Sequence, residues 1–159
     1  ANYSLVTQLL SSFGDIITSM NTERMKSINN QFKVIIPVDM RPYPDNYEEE
    51  VARILARRLQ SDMLFVPPSN SLHTPDLQVV KTGEFWEIKN IRGNGKNTIE
   101  DNLKKAAKQS SNVVISLLRS KMTYLQAISR IRYFLSRPHG NIKQIILVTK
   151  GGKAIDFYE

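Results

Sequence analysis

Apolar positions recur with two different periods along this chain, and the switches between them divide it into elements. Over residues 1 to about 30, Val6, Leu9, Leu10, Phe13, Ile16, Ile17 and Met20 stand at helical spacing among Ser, Thr and Asn, which predicts one or two amphipathic helices. From Phe32 to Pro44 the prolines Pro37, Pro42 and Pro44 predict a connecting passage, because each fixes φ and removes a backbone donor. The domain boundary is therefore placed there, with a helical extension over 1–44 and the main domain over 45–159. Asp45 or Asn46 can cap a helix from Tyr47 to Gln60 whose inward stripe is Tyr47, Val51, Ile54, Leu55 and Leu59. Glu48 falls on the edge of that stripe, whereas Glu49 and Glu50 turn away from it.

The period then changes to two. Met63 to Val66 reads as a short strand, and Leu77 to Lys81 with Glu84 to Lys89 reads as a hairpin closed by Thr82-Gly83. Beyond the basic loop Arg92 to Lys96, Asn97 or Thr98 caps a helix from Ile99 to Ser110, with Ile99, Leu103, Ala106 and Ala107 inward and Lys104, Lys105 and Lys108 outward. Asn112 to Leu117 is a Val- and Ile-rich strand. A helix from Met122 to Ser136 follows, with Leu125, Ile128, Ile131 and Leu135 inward, and then a hairpin of Lys143 to Thr149 with Lys153 to Tyr158 across Gly151-Gly152. A meander followed by crossovers through helices predicts an α/β fold, a mixed central sheet flanked by helices with a helical N-terminal extension.

The first hairpin carries the chemistry. Pairing Lys81 with Glu84 sets Asp76 opposite Lys89 and Gln78 opposite Glu87, so one face carries Asp76, Gln78, Glu87 and Lys89 and the other Leu77, Val79, Trp86 and Ile88. Opposed Cβ atoms in such a pair lie roughly 5 Å apart and diagonal ones roughly 7 Å. Two carboxylates and an ammonium at that spacing can share one divalent cation and its water. On an alternating strand the same charges can equally be a solvated surface, where a cross-strand ion pair contributes about 0.5 kcal/mol.

Composition narrows the choice. The chain of 159 residues has no Cys and only two His, His73 and His139, so a catalytic metal would rest on oxygen ligands, with Mg²⁺ first and Mn²⁺ or Zn²⁺ behind it. With 22 basic against 15 acidic residues and a net charge of +7, a polyanionic partner is expected, nucleic acid before an anionic membrane surface. No apolar run approaches the roughly 20 residues of a spanning helix, and the N-terminus lacks a signal-peptide pattern, so stable membrane insertion is not expected.

Pro75-Asp76, then Glu87-x-Lys89 after ten intervening residues, on the second and third strands of such a sheet, resembles the PD-(D/E)xK nuclease superfamily. Thr74-Pro75-Asp76-Leu77, Phe85-Trp86-Glu87-Ile88-Lys89, Gly95-Lys96-Asn97-Thr98-Ile99, Gln109 through Ser116, Leu118-Arg119 and Val148 through Lys153 resemble more closely the C-terminal toxin domains of bacterial contact-dependent growth inhibition effectors, in particular the transfer-RNA nuclease group. The resemblance implies a toxin delivered from the cell surface, acting on nucleic acid in the target-cell cytoplasm and neutralised by a cognate immunity protein, with residues 1–44 akin to the preceding cell-penetration region. It implies that Asp76 and Glu87 ligate the metal with the Ile88 carbonyl and Glu48, and that Lys89 orients the water or offsets charge rather than acting as general base.

Lys96, Lys104, Lys105, Lys108, Gln109 and Arg119, with Arg130 and Arg132, are the expected substrate contacts. His73, Gln78, Asn90 and Thr98 are further candidates. RNA, transfer RNA above all, is expected over DNA on the resemblance. The rival readings are a DNase of the same fold, a non-enzymatic basic nucleic-acid-binding module, and a metal-independent ribonuclease centred on His73.

Overall fold

The structure is a computed structural model that describes residues 7–17, 31–70 and 73–158. The chain divides into two units, residues 1–31 and 32–159. In the first, residues 7–17 are helical (α1) with Leu9, Leu10, Phe13, Ile16 and Ile17 exposed; Val6 and Met20 of the expected stripe, and any helix beyond residue 17, lie outside the described residues.

The second unit is a mixed sheet with helices on both faces. Its elements are β1 (Val34–Ile35), α2 (Asn46–Leu59), β2 (Met63–Phe65), β3 (Leu77–Val79), β4 (Phe85–Asn90), α3 (Thr98–Ala106), β5 (Asn112–Ser116), α4 (Tyr124–Leu135), β6 (Gln144–Val148) and β7 (Ala154–Tyr158). The seven strands lie side by side in chain order. Pairs β1–β2, β4–β5 and β5–β6 are parallel, and the remaining neighbours antiparallel. The unit begins at Phe32 rather than Asp45 because β1 pairs with β2 and Phe32, Val34, Ile36 and Met40 pack into the core. Proline density marked the loop correctly but hid a two-residue edge strand inside it.

Two cores result, one on each face of the sheet. Val51, Leu55, Leu77, Trp86, Ile88, Val114 and Val148 join α2 to one face; Ile99, Leu103, Val113, Ile115, Ile131, Ile145 and Leu147 join α3 and α4 to the other. All five residues of β5 are buried, as expected of a parallel strand covered on both sides. The helix faces differ from expectation at single positions. Tyr47 is exposed with the Arg119 guanidinium over its ring, and Leu125 is exposed because Ala127, Ile131 and Phe134 form the buried stripe of α4.

Helix ends follow the capping chemistry. Asp45 and Glu48 close a reciprocal capping box on α2, Glu48 N donating to Asp45 Oδ1 and Asp45 N to Glu48 Oε2, both at 2.8 Å. Thr123 and Gln126 do the same for α4. Helix α3 stops at Ala106 instead of reaching Ser110, since Ser110 Oγ and Asn112 Nδ2 both donate to the Phe85 carbonyl, at 2.8 and 3.0 Å, and draw the chain into β5.

The first hairpin is longer in its turn than expected. Leu77 pairs with Trp86 and Gln78 with Phe85, a register two residues away from the one that pairs Lys81 with Glu84. The expected partners Asp76–Lys89 and Gln78–Glu87 are therefore corrected: continuing the ladder puts Asp76 opposite Glu87, and Asp76 N donates to the Trp86 carbonyl at 3.2 Å. A shift of two leaves each side chain on its expected face, and Leu77, Val79, Trp86 and Ile88 are buried as anticipated. The turn is set by Gly83 at φ +77, whose N–H donates to the Val79 carbonyl at 2.7 Å. An added Cβ there would meet nothing closer than Gln78 Nε2 at 3.9 Å, so the cost of a side chain is backbone strain alone. Gly83→Ala should lower unfolding free energy by about 1–2 kcal/mol in urea denaturation; an unchanged midpoint would mean that the left-handed turn does not fix this register.

Candidate active site

Pro75 has no N–H with which to extend the β3–β4 ladder, and beyond the ladder the side chain of Asp76, rather than a backbone carbonyl, accepts from β4. Its Oδ2 receives the Ile88 N–H at 2.7 Å, which fixes the carboxyl against the neighbouring strand. Glu87 projects from the same face and is 2% exposed. Its Oε1 accepts from Lys89 Nζ at 2.6 Å, and the same ammonium donates to Gln109 Oε1 at 3.0 Å. Gln109 reaches it from the turn after α3, where Gln109 N donates to the Ala106 carbonyl at 2.8 Å. Glu87 Oε2 is buried without a hydrogen bond among the described residues, while the Asp76 carboxyl lies within hydrogen-bonding reach of the Glu87 carboxyl.

The electrostatics follow from that crowding. Burial first, then the Asp76 charge, push the Glu87 carboxyl from its ordinary 4.5 up to about 7, against the pull of Lys89. Burial also raises Asp76, opposed by the Ile88 N–H, the Glu87 carboxyl and Lys89. Glu48 is raised as well, by burial, with the charges of Asp45 and Asp76 adding to it and the Asp45 N–H opposing. Glu48 and Asp76 line one small cavity of about 100 Å³ together with Pro75 and Tyr43.

Among the described residues no group of three His, Cys, Asp or Glu is gathered tightly enough to hold a metal ion. What exists is a pair, with Glu48 beside it but its Oε2 committed to the capping box. A buried acceptor with no donor among the described residues, on a carboxyl that interacts with a second one, is the arrangement that a proton or a cation completes. Oxygen-only donors in this number suit Mg²⁺, which is commonly held by one or two carboxylates and keeps several waters.

The other expected residues fall into three groups. Arg119 is brought close, stacked 4.8 Å from the Tyr47 ring centroid and 3.8 Å from Asp45 Oδ2 at the N-terminus of α2. Asn90 is half-buried at the end of β4, and its Oδ1 is buried without a donor among the described residues. His73, exposed at φ +76, lines a groove of about 720 Å³ that also takes in Gln109. By contrast Gln78 turns back on its own hairpin, Nε2 donating to the Gly83 carbonyl at 3.3 Å. Thr98 opens α3, its N–H on the Gly95 carbonyl and its own carbonyl taking Asn102 Nδ2.

Of the lysines, Lys104 pairs with Glu100 at 3.1 Å, Lys105 and Lys108 are exposed on α3 and the turn beyond it, and Lys96 lines a separate groove with Arg130. Phe85 was missed. It is 44% exposed on the face that carries Glu87, and the visible signal was an aromatic out of phase with the buried positions of its strand.

The family model of the contact-dependent growth inhibition CdiA C-terminal domain matches residues 73–154, and the chain belongs to that family. The match takes in Asp76, Glu87, Lys89, Gln109 and Arg119 and leaves Glu48 outside. A solved structure described as a CdiA-CT/CdiI toxin and immunity complex from Burkholderia pseudomallei is similar in fold, with a TM-score of 0.54 at 15% identity over 80% of this chain and 99% of that chain. No curated protein matches the chain in sequence.

Because the folded state holds the Glu87 proton up to about pH 7 and the unfolded chain releases it near 4.5, the folded state binds more protons between those values. Stability of the metal-free protein should therefore fall as pH rises from about 4.5 to about 7 and then level off. Thermal unfolding across that window should show this fall in wild type and a flatter profile in Glu87→Gln. Identical profiles would refute the assignment.

Proposed function

We propose that this chain is the nuclease domain of a contact-dependent growth inhibition toxin, a metal-dependent endonuclease of the PD-(D/E)xK type that cleaves RNA, with transfer RNA as the favoured substrate. The observation that carries the reading is the desolvated Asp76–Glu87 pair with Lys89 held against it. Family membership supports the toxin class. The immunity complex named for the similar structure supports a cognate immunity protein for this chain too, and a basic surface favours an acidic partner. The toxin is delivered from the producing cell's surface and acts in the target-cell cytoplasm. No helix among the described residues is long and apolar enough to cross a membrane.

Asp76 and Glu87 would hold the divalent ion, Mg²⁺ by preference over Mn²⁺ or Zn²⁺, with the Ile88 carbonyl and Glu48 as further oxygen donors. When bound, such an ion polarises a phosphoryl oxygen and lowers the pKa of its water. Everything else falls to the chain. Glu87 must be ionised to hold the ion, so its raised pKa ties binding to pH. Lys89 has three donors, two of them committed to Glu87 and Gln109; the third is left for a water or a phosphoryl oxygen, and a fixed ammonium there stabilises charge that develops at phosphorus. Gln109 acts as a positioning residue for that ammonium. Arg119, held over Tyr47, neutralises a flanking phosphate, and Lys96, Lys105 and Lys108 extend the basic surface along the backbone of the substrate.

Incubation with total transfer RNA and with plasmid DNA, each with Mg²⁺ or excess EDTA, should give cleavage of the RNA that EDTA abolishes. Asp76→Ala and Glu87→Gln should each lower the rate by about a hundredfold or more. Plasmid nicking without RNA cleavage would make the domain a DNase. Undiminished activity in EDTA that His73→Ala removes would move the chemistry to His73.

A further inference from the structure

A groove lined by Pro75, Phe85 and Gln109 adjoins the residues that carry the carboxylate pair. Phe85 lies two residues before Glu87 on the same face of β4, so its half-exposed ring adjoins the carboxylate that the proposed function sets against the scissile phosphate. Phe85 belongs to neither core: Trp86 and Ile88 fill the opposite face, and the cluster beneath α3 and α4 does not take it in. Its backbone is nonetheless clamped, since the Phe85 carbonyl accepts from both Ser110 Oγ and Asn112 Nδ2. The groove it lines, about 720 Å³, also takes in His73, Glu84, Gln109, Asn112 and Lys143, and falls within the usual size of small-ligand sites.

The amide orientations there are fixed by chemistry. An ammonium only donates, so Gln109 presents Oε1 to Lys89, and its Nε2 is the donor that remains. A carbonyl only accepts, so Asn112 gives Nδ2 to Phe85, and its Oδ1 is the acceptor that remains. A flat apolar ring flanked by one amide donor and one amide acceptor matches a base, which offers a π-face for stacking and an edge carrying both kinds of group. Gln109 ties this groove to the site, because the same side chain touches Lys89.

We propose that Phe85 stacks an unpaired base next to the scissile phosphate, with Gln109 and Asn112 on the base edge, so that the domain selects single-stranded or looped RNA over duplex. The inference rests on the nucleic-acid substrate proposed above and adds the element that reads it. Stacking on one aromatic ring corresponds to roughly a ten- to hundredfold change in affinity.

The test uses short single-stranded RNA carrying 2-aminopurine, whose fluorescence is quenched on stacking, and the same strand in duplex. Binding is read with Asp76→Ala so that the RNA stays intact, alone and combined with Phe85→Leu or Phe85→Trp; cleavage is read in the Asp76 background. The single strand should be quenched and the duplex not. Phe85→Leu should lose quenching and bind roughly ten- to hundredfold more weakly, and Phe85→Trp should restore both. Quenching and affinity unaltered by Phe85→Leu, or no quenching at all, would overturn the base site. RNA cleaved at equal rates by wild type and Phe85→Leu would overturn it while leaving the nuclease reading intact. Phe85-dependent quenching of an RNA that the protein never cleaves would uphold the base site and sink the nuclease.

Discussion

Two carboxyls from neighbouring segments, Asp76 and Glu87, are forced together under partial burial, and the function proposed for this domain depends on how that conflict is resolved. In water each would ionise freely. Here the Ile88 N–H anchors one, Lys89 holds one oxygen of the other, and the second oxygen of Glu87 receives nothing from the described residues. Like charges at such range disfavour joint ionisation, and desolvation removes the screening that would relieve it. Within the protein a proton relieves it: burial first, and the Asp76 charge second, push the Glu87 carboxyl up to about 7. A divalent cation would relieve it better, since it neutralises both groups at once.

The fold supplies this conflict through one strand. β4 is paired antiparallel to β3 on one side and parallel to β5 on the other, so it receives Asp76 from the hairpin while its flank is filled by the crossover through α3. Residues of one phase, Trp86 and Ile88, are locked into the core beneath α2. The other phase, Phe85, Glu87 and Lys89, is then held on the opposite face with little freedom. Because α3 ends at Ala106, the following turn can deliver Gln109 to Lys89. The capping box on α2 brings Glu48 to the same corner and spends one of its oxygens in doing so.

The alternation in the hairpin was legible in the sequence, and so was the convergence of Asp76, Glu87 and Lys89, because side-chain face depends only on strand phase. The partners were not. Thr82-Gly83 reads as a two-residue turn, but the left-handed Gly83 closes a longer one, and the two-residue shift moved Asp76 from Lys89 to Glu87 without altering either face. Gln78 was lost from the site for the same reason, since its amide spans the turn. Glu48 was correctly placed at the stripe's edge, whereas its role in capping depends on which of Asp45 and Asn46 serves as the cap. The strand at Val34–Ile35 was illegible because two residues shortly before Pro37 are too few to carry a periodicity. Phe85 was overlooked because an exposed aromatic on a strand reads as an imperfection of pattern until the groove beside it is known.

The measurement that bears most directly on the carboxylate pair is a titration of Glu87 followed by carbon-13 NMR of side-chain-labelled protein, with and without Mg²⁺. A metal-binding carboxylate pair predicts a midpoint near 7 in the metal-free protein that drops by more than one unit when Mg²⁺ is added, with the Asp76 signal moving in step. A Glu87 midpoint near the ordinary 4.5, unmoved by Mg²⁺, would contradict it.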